Sequence, residues 1–331
     1  MKKIVFVLFL LLSCRPVFAD FTNGEAAFAS KRYSEAMMQF RPLADDGDFR
    51  AQYYVAYMYL NGYGVTKNTA LGVEYLRKSL DQNYHMAQAL MGFLYAQGEA
   101  VPLDHNKAIS LYQKAADQGN TSAMLNLAVA YYLGNGVPRN LTRAIELLEK
   151  IPIEEQPSAG RYLGDIYLMR DSSKTEAAVR AYYGAAKAGD LAAYAALAKI
   201  YLEGIGVEQD VERGVSYYRY AAEQGYAPAQ YVMGVMYVNG RGVEANNALG
   251  HAWLSCAANQ NYEPALTALG QLKSEMSLSD LDRARQEFIN IQNNVLGKGT
   301  SPVEVEIQRE KEREEEAKAV PVNRWGRRHR R

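Results

Sequence analysis

Ala229-Gln230-Tyr231-Val232-Met233-Gly234-Val235-Met236-Tyr237-Val238-Asn239-Gly240-Arg241-Gly242-Val243 holds the pattern that organises the chain. With Ala229 as position 1, core-forming residues fall at 1, 5, 8 and 9, which trace one face of a helix. The small residue at position 6 removes bulk where a second helix must come close. Gly240, at position 12, suits the left-handed backbone that ends a helix, and Val243 turns back toward the core.

The same column of alanines recurs at Ala51, Ala87, Ala123, Ala159, Ala193, Ala229 and Ala265, separated by 36, 36, 36, 34, 36 and 36 residues. Position 5 is always apolar (Val55, Met91, Leu127, Leu163, Leu197, Met233, Leu269), and position 6 is always Gly or Ala. Position 9 of the first six units is tyrosine: Tyr59, Tyr95, Tyr131, Tyr167, Tyr201 and Tyr237. The Gly-x-Gly-Val turn returns at Gly62, Gly134 and Gly204, and a second helix follows it. That helix carries Ala115-Ala116, Ala185-Ala186, Ala221-Ala222 or Ala257-Ala258, and closes on Gly119, Gly189, Gly225, Asn83 or Asn261. Each unit is therefore a helix–turn–helix hairpin. One hairpin buries too little surface to offset the ordering of its own backbone, so the hairpins must stack.

From the opening Ala to Ala-Ala-x-x-Gly, these residues closely resemble the Sel-one-like repeat family, a branch of the tetratricopeptide superfamily. The resemblance implies an all-α fold: an α/α solenoid superhelix of helix–turn–helix repeats, with a C-terminal capping helix and a charged tail. The expected organisation is a signal peptide at 1–19, a tetratricopeptide-like hairpin at 20–50, and repeats at 51–86, 87–122, 123–158, 159–192, 193–228 and 229–264. The start of a seventh occupies 265–272, a capping helix 273–297, and the charged tail 298–331. Two units depart from the pattern. Leu168-Met169-Arg170-Asp171 replaces the glycine turn in the fourth, and Pro152 and Pro157 should stop the preceding helix near Lys150 and leave an irregular seam at 151–158.

The two ends follow other rules, since all 25 tyrosines lie between Tyr33 and Tyr262. Lys2-Lys3 followed by Ile4 through Leu12 reads as a secretory signal, because nine apolar residues are too short to span a bilayer. Val17-Phe18-Ala19 offers a cleavage site before Asp20, and Leu11-Leu12-Ser13-Cys14 a looser lipobox in which Cys14 would be acylated. The expected location is periplasmic, with an outer-membrane lipoprotein or a secreted protein as alternatives. At the other end, alternating charges over Arg309–Lys318 predict a lone solvated helix. Beyond it, Arg324, Trp325, Arg327, Arg328, Arg330 and Arg331 form a basic cluster suited to an anionic envelope surface.

Lys+Arg and Asp+Glu are both 37, so no global field draws the chain to nucleic acid. Two cysteines exclude a disulfide framework, and cleavage after Ala19 would leave only Cys256, read as a buried small residue. His85, His105, His251 and His329 share no ligand spacing, so no metal or cofactor is expected. His85 is placed in a loop. Gly-x-Gly follows a helix rather than a strand and lacks a third glycine, so it is a turn and not a phosphate loop. Asn120-Thr121-Ser122 and Asn140-Leu141-Thr142 match the N-glycan acceptor, which matters only in a eukaryotic host.

Positions 3, 7 and 10 form a second face, which the resemblance places along the concave groove. Its chemistry varies between repeats: Tyr53, Tyr57, Phe93, Arg161, Asp165, Lys199 and Tyr231 are the candidate partner-binding residues. Aromatic anchors of this kind make binding hot spots. The reading is an exported, non-catalytic scaffold for protein or peptide partners, with no nucleic acid and no small-molecule substrate. The resemblance suggests envelope roles such as polysaccharide assembly, motor stators or morphology complexes. A direct peptidoglycan- or polysaccharide-binding module is the alternative. A hydrolase of the family's cysteine-rich type comes third, because the Cys pair of each such repeat is missing here.

Overall fold

The computed structural model describes residues 19–170 and 174–319. Residues 1–18 of the expected signal peptide, Cys14 among them, and the Arg324–Arg331 cluster lie outside the described residues. Two compact units result, the first running to Leu127 with Asn135–Val137, the second comprising Ala128–Gly134 and the chain from Pro138.

In the first unit, α1 (Phe21–Ala29) pairs with α2 (Tyr33–Asp45), α3 (Phe49–Asn61) with α4 (Thr69–Asp81), and α5 (His85–Gln97) with α6 (His105–Asp117). Helix α7 (Thr121–Leu133) begins in this unit. The second unit continues with α8 (Leu141–Leu148), α9 (Pro157–Arg170), α10 (Thr175–Lys187), α11 (Leu191–Glu203), α12 (Val211–Glu223), α13 (Ala227–Asn239), α14 (Asn247–Ala258), α15 (Glu263–Glu275) and α16 (Leu278–Asn290). A π-helical turn, Ile291–Val295, then leads to α17 (Pro302–Ala319). Helix α16 starts on a Ser277 cap that accepts from the Asp280 amide, and it packs against α14.

The alanines at position 1 and the apolar residues at positions 5 and 8 of the first six repeats are buried. Position 6 is small for the expected reason: a Cβ built on Gly164 would sit 2.6 Å from the Tyr182 ring of α10. The tyrosine column departs from expectation. Tyr59 and Tyr201 are buried, while Tyr95, Tyr131, Tyr167 and Tyr237 are only half-buried. Position 9 lies at the edge of the stripe, where the ring packs and the hydroxyl can meet polar groups such as Arg41 at Tyr59 and Glu149 at Tyr167.

Two polar devices recur alongside the apolar columns. Asn68, Asp104, Asn140, Asp210 and Asn246, all at position 18, cap the second helices by accepting from the amide three residues on. Their own amides donate to the carbonyls of Tyr59, Tyr95, Tyr131, Tyr201 and Tyr237 at 2.8–2.9 Å, closing each turn. A glutamine pair forms the second device: Gln82 donates to Gln52, Gln118 to Gln88 and Gln260 to Gln230, at 2.8–2.9 Å. Gln82 and Gln260 also donate to the carbonyls of Gly47 and Gly225, which end the preceding hairpins.

The second glycine of each Gly-x-Gly turn touches the preceding hairpin. A Cβ on Gly64 would lie 2.5 Å from the Tyr33 backbone, and one on Gly136 would lie 2.7 Å from His105 Cβ. Gly206 meets Thr175 and Gly242 meets Val211 in the same way. Tyr33, His105, Thr175 and Val211 are the first residues of α2, α6, α10 and α12.

Helix α8 stops at Leu148, near Lys150 as expected, and Ile151 folds inward ahead of Pro152 and is buried. Two further expectations are corrected. His85 opens α5 instead of lying in a loop, and its Nδ1 faces the Asn120 amide at 3.1 Å. The tail helix is not lone: α17 is docked through its first turn, where Val303 is fully buried and Glu306 is paired with Arg213.

Candidate partner-binding face

In the first unit, α1, the start of α2, α3, the turn after it and the N-cap of α5 bring a row of rings together. Tyr53 lies 6.3 Å from Tyr57 and 5.8 Å from Tyr84, and Tyr57 lies 6.0 Å from Tyr63. Tyr63 stacks on Tyr33 at 4.6 Å, and Phe28 sits edge-on to Tyr57. These aromatic residues are half-buried. Burial, and then the neighbouring Tyr57, Tyr54 and Tyr84, push the Tyr53 hydroxyl above its ordinary range. The Tyr53 hydroxyl is thus neutral at any physiological pH. Phe93, one repeat on, is 45% exposed and stands outside this ring network among the described residues.

The candidates in the second unit divide. Arg161 and Asp165 pair with each other at 3.6 Å, and Arg161 also reaches Asp190 at 3.2 Å. Asp165 accepts from the Tyr182 hydroxyl at 2.6 Å, and Asp190 caps α11. Burial drives the Asp165 carboxyl upward from its ordinary value. Both residues therefore have structural partners. Lys199 is exposed, and the Tyr231 ring lies 5.7 Å from Tyr262.

No group of three or more possible metal ligands occurs among the described residues. Cys256 is buried, with its thiol pushed up to about 11, chiefly by burial. Asn120 is buried and caps α7 through the Ala123 amide, and Asn140 caps α8, so both acceptor asparagines have structural work. No described helix is long and apolar enough to cross a membrane. The glutamine pairs were missed in the sequence, although Gln52, Gln88 and Gln230 at position 2 and Gln82, Gln118 and Gln260 at position 32 were visible columns.

The Sel1 repeat family model matches residues 49–84, 85–120, 121–151, 191–226 and 227–262, more than half of the chain. The chain belongs to the Sel1 repeat family. Its fold is the all-helical, solenoid-like stack of paired helices of that family. It is similar to a protective antigen present in uropathogenic Escherichia coli strains, with an SLR fold, at 25% identity and a TM-score of 0.71. That match covers 93% of this chain and 66% of the antigen's, so the chain spans just under two thirds of that relative. A Sel1 repeat protein from Oxalobacter formigenes is similar at 26% identity and a TM-score of 0.66, over 73% of this chain and 100% of that one. No curated protein sequence matches. No catalytic family is evident for this Sel1 repeat protein.

Proposed function

We propose that the protein is an exported, non-catalytic scaffold of the bacterial cell envelope that binds a protein or peptide along the first helices of its Sel1 repeats. The carrying observation is the aromatic row Tyr33–Tyr63–Tyr57–Tyr53–Tyr84 in the first unit, with Phe93 exposed beside it in sequence register. Neutral aromatic surface favours an apolar or peptide ligand over an ion. Sel1 repeats typically mediate protein interactions. Export is supported by Lys2-Lys3 and the apolar run Ile4–Leu12.

A photo-crosslinking side chain in place of Phe93 tests the reading. It should trap a discrete polypeptide in intact cells, while the same group at exposed Lys114 should not. Phe93→Ser should leave the fold unchanged and lower retention of that partner. Sedimentation with purified peptidoglycan, abolished by Phe93→Ser, would instead favour the polysaccharide-binding reading. Residues 1–25 fused to a reporter should reach the periplasm, and Cys14→Ser should leave its distribution unchanged if cleavage follows Ala19. Cytoplasmic retention of the fusion would end the export reading.

A further inference from the structure

The segment after the π-helical turn returns to α10, α11 and α12. Gly297 donates to the Glu223 carbonyl at 2.6 Å, and Ser301 caps α17 by accepting from the Glu304 amide. Ser301 also shares a 2.7 Å hydrogen bond with the Tyr194 hydroxyl, and Tyr183 donates to the Val303 carbonyl at 3.2 Å. Glu306 accepts twice from Arg213, at 2.9 and 2.6 Å, and once from Tyr217 at 3.0 Å. The Arg213 guanidinium lies 4.1 Å over the Tyr201 ring, and Tyr201 is stacked on Tyr217.

These contacts form a receptor with defined chemistry. A planar guanidinium held over an aromatic ring is preset for a bidentate carboxylate. The buried Tyr194 and Tyr217 hydroxyls interact with Tyr220 and Arg213 within the repeats, and the segment adds Ser301 and Glu306 to them. Tyr194 occupies position 2, where Gln52, Gln88 and Gln230 form the glutamine pairs, so the regular lock is replaced at the place where the segment docks. The occupant is held mainly by polar contacts: among its described residues Val303 is the one fully buried apolar side chain and Glu306 the one in an ion pair, and its connection to the body contains Gly297 and Gly299.

We propose that the face of α10, α11 and α12 is a peptide site for an acidic helix N-terminus, filled in cis by Ser301–Glu306 until a partner segment of the same chemistry displaces it. That chemistry is a hydroxyl residue at the cap, proline next, a β-branched residue two positions after the cap, and a carboxylate five positions after it. The site is built from residues of α10, α11 and α12, and none of them belongs to the aromatic row Tyr33–Tyr63–Tyr57–Tyr53–Tyr84.

A fluorescent synthetic peptide of residues 299–313 is titrated against the full chain by anisotropy. Glu306→Arg should free the site and bind this peptide at least about tenfold more tightly than the wild type, whose own segment competes. Removal of 298–331 should open the site equally, which covers a folding failure of the first variant. Arg213→Glu, added to the shortened chain, should abolish binding. Equal affinity of wild type and Glu306→Arg would overturn cis occupancy. Absence of binding to both opened forms, with helical content retained, would overturn the site. A concentration-dependent dimer of the wild type, lost on Glu306→Arg, would assign the segment to a second copy and also overturn the proposal.

Discussion

One column of the repeat makes opposite demands on the same residue type. Gly164 and Gly270 both occupy position 6, yet a Cβ on Gly164 would press into the Tyr182 ring while one on Gly270 meets nothing within 4 Å. Gly164→Ala should destabilise by roughly 1–3 kcal/mol despite better helix propensity, because the core is overpacked. Gly270→Ala should stabilise by up to about 1 kcal/mol, since only propensity changes. Urea midpoints of the two variants give the signs directly. Leu197→Ala should cost about 2–5 kcal/mol at a fully buried position. Tyr237→Ala should cost only roughly 1–2 kcal/mol, because that ring is half-buried. Cys256 titrates accordingly. Its thiol, raised by burial to about 11 from a usual value near 9, favours the neutral form in the fold. The stability it contributes is complete below pH 9 and is lost as pH rises toward 11. Iodoacetamide at pH 8 should therefore modify the native chain roughly a hundredfold more slowly than the unfolded one, before any steric protection is counted.

At the scale of an element, the second helix of each repeat depends on its cap and on the turn before it. Asn246→Ala should cost about 1 kcal/mol and speed amide exchange in the first turn of α14, with little change in α12. Uniform exchange across both helices would show that the cap is not what starts α14. The helices were legible in the sequence because apolar spacing at positions 1, 5 and 8 survives every substitution on the outer faces. The weight of the tyrosine column was not legible. Period alone cannot say whether position 9 lies at the centre or the edge of a stripe, and a tyrosine serves at both. Arg161 and Asp165 were read as open groove residues because Asp190, which pairs with Arg161, and Tyr182, which donates to Asp165, lie 29 and 17 residues on, where no local spacing points to them. The docking of α17 was hidden for the same reason. Ser301-Pro302 marks a helix start, but a single buried valine inside a charged run gives no periodic signal.

For the whole molecule, charge is balanced in sum and uneven along the chain. Five arginines fall within 324–331, while Lys+Arg and Asp+Glu are equal overall. Deleting 320–331 should leave thermal unfolding unchanged, since Val303 and Glu306 remain in place. Retention on anionic envelope fragments should drop, and the retention of the intact chain should fade as salt rises toward ~0.5 M. Equal retention of both chains at every salt concentration would assign the cluster no surface role.

The glycines that receive the preceding hairpin give the array a direction. Gly64, Gly136, Gly206 and Gly242 each close on the first residue of an earlier second helix, and no later hairpin is needed to complete that contact. A polypeptide that emerges N-terminus first, from the ribosome or from a translocation pore, presents each new hairpin to a finished surface. Assembly can thus keep pace with delivery, without waiting for the far end of the chain. Chains shortened from the C-terminus at successive hairpin ends should keep protected amides up to the cut. Chains shortened from the N-terminus should lose protection in the first hairpin that remains.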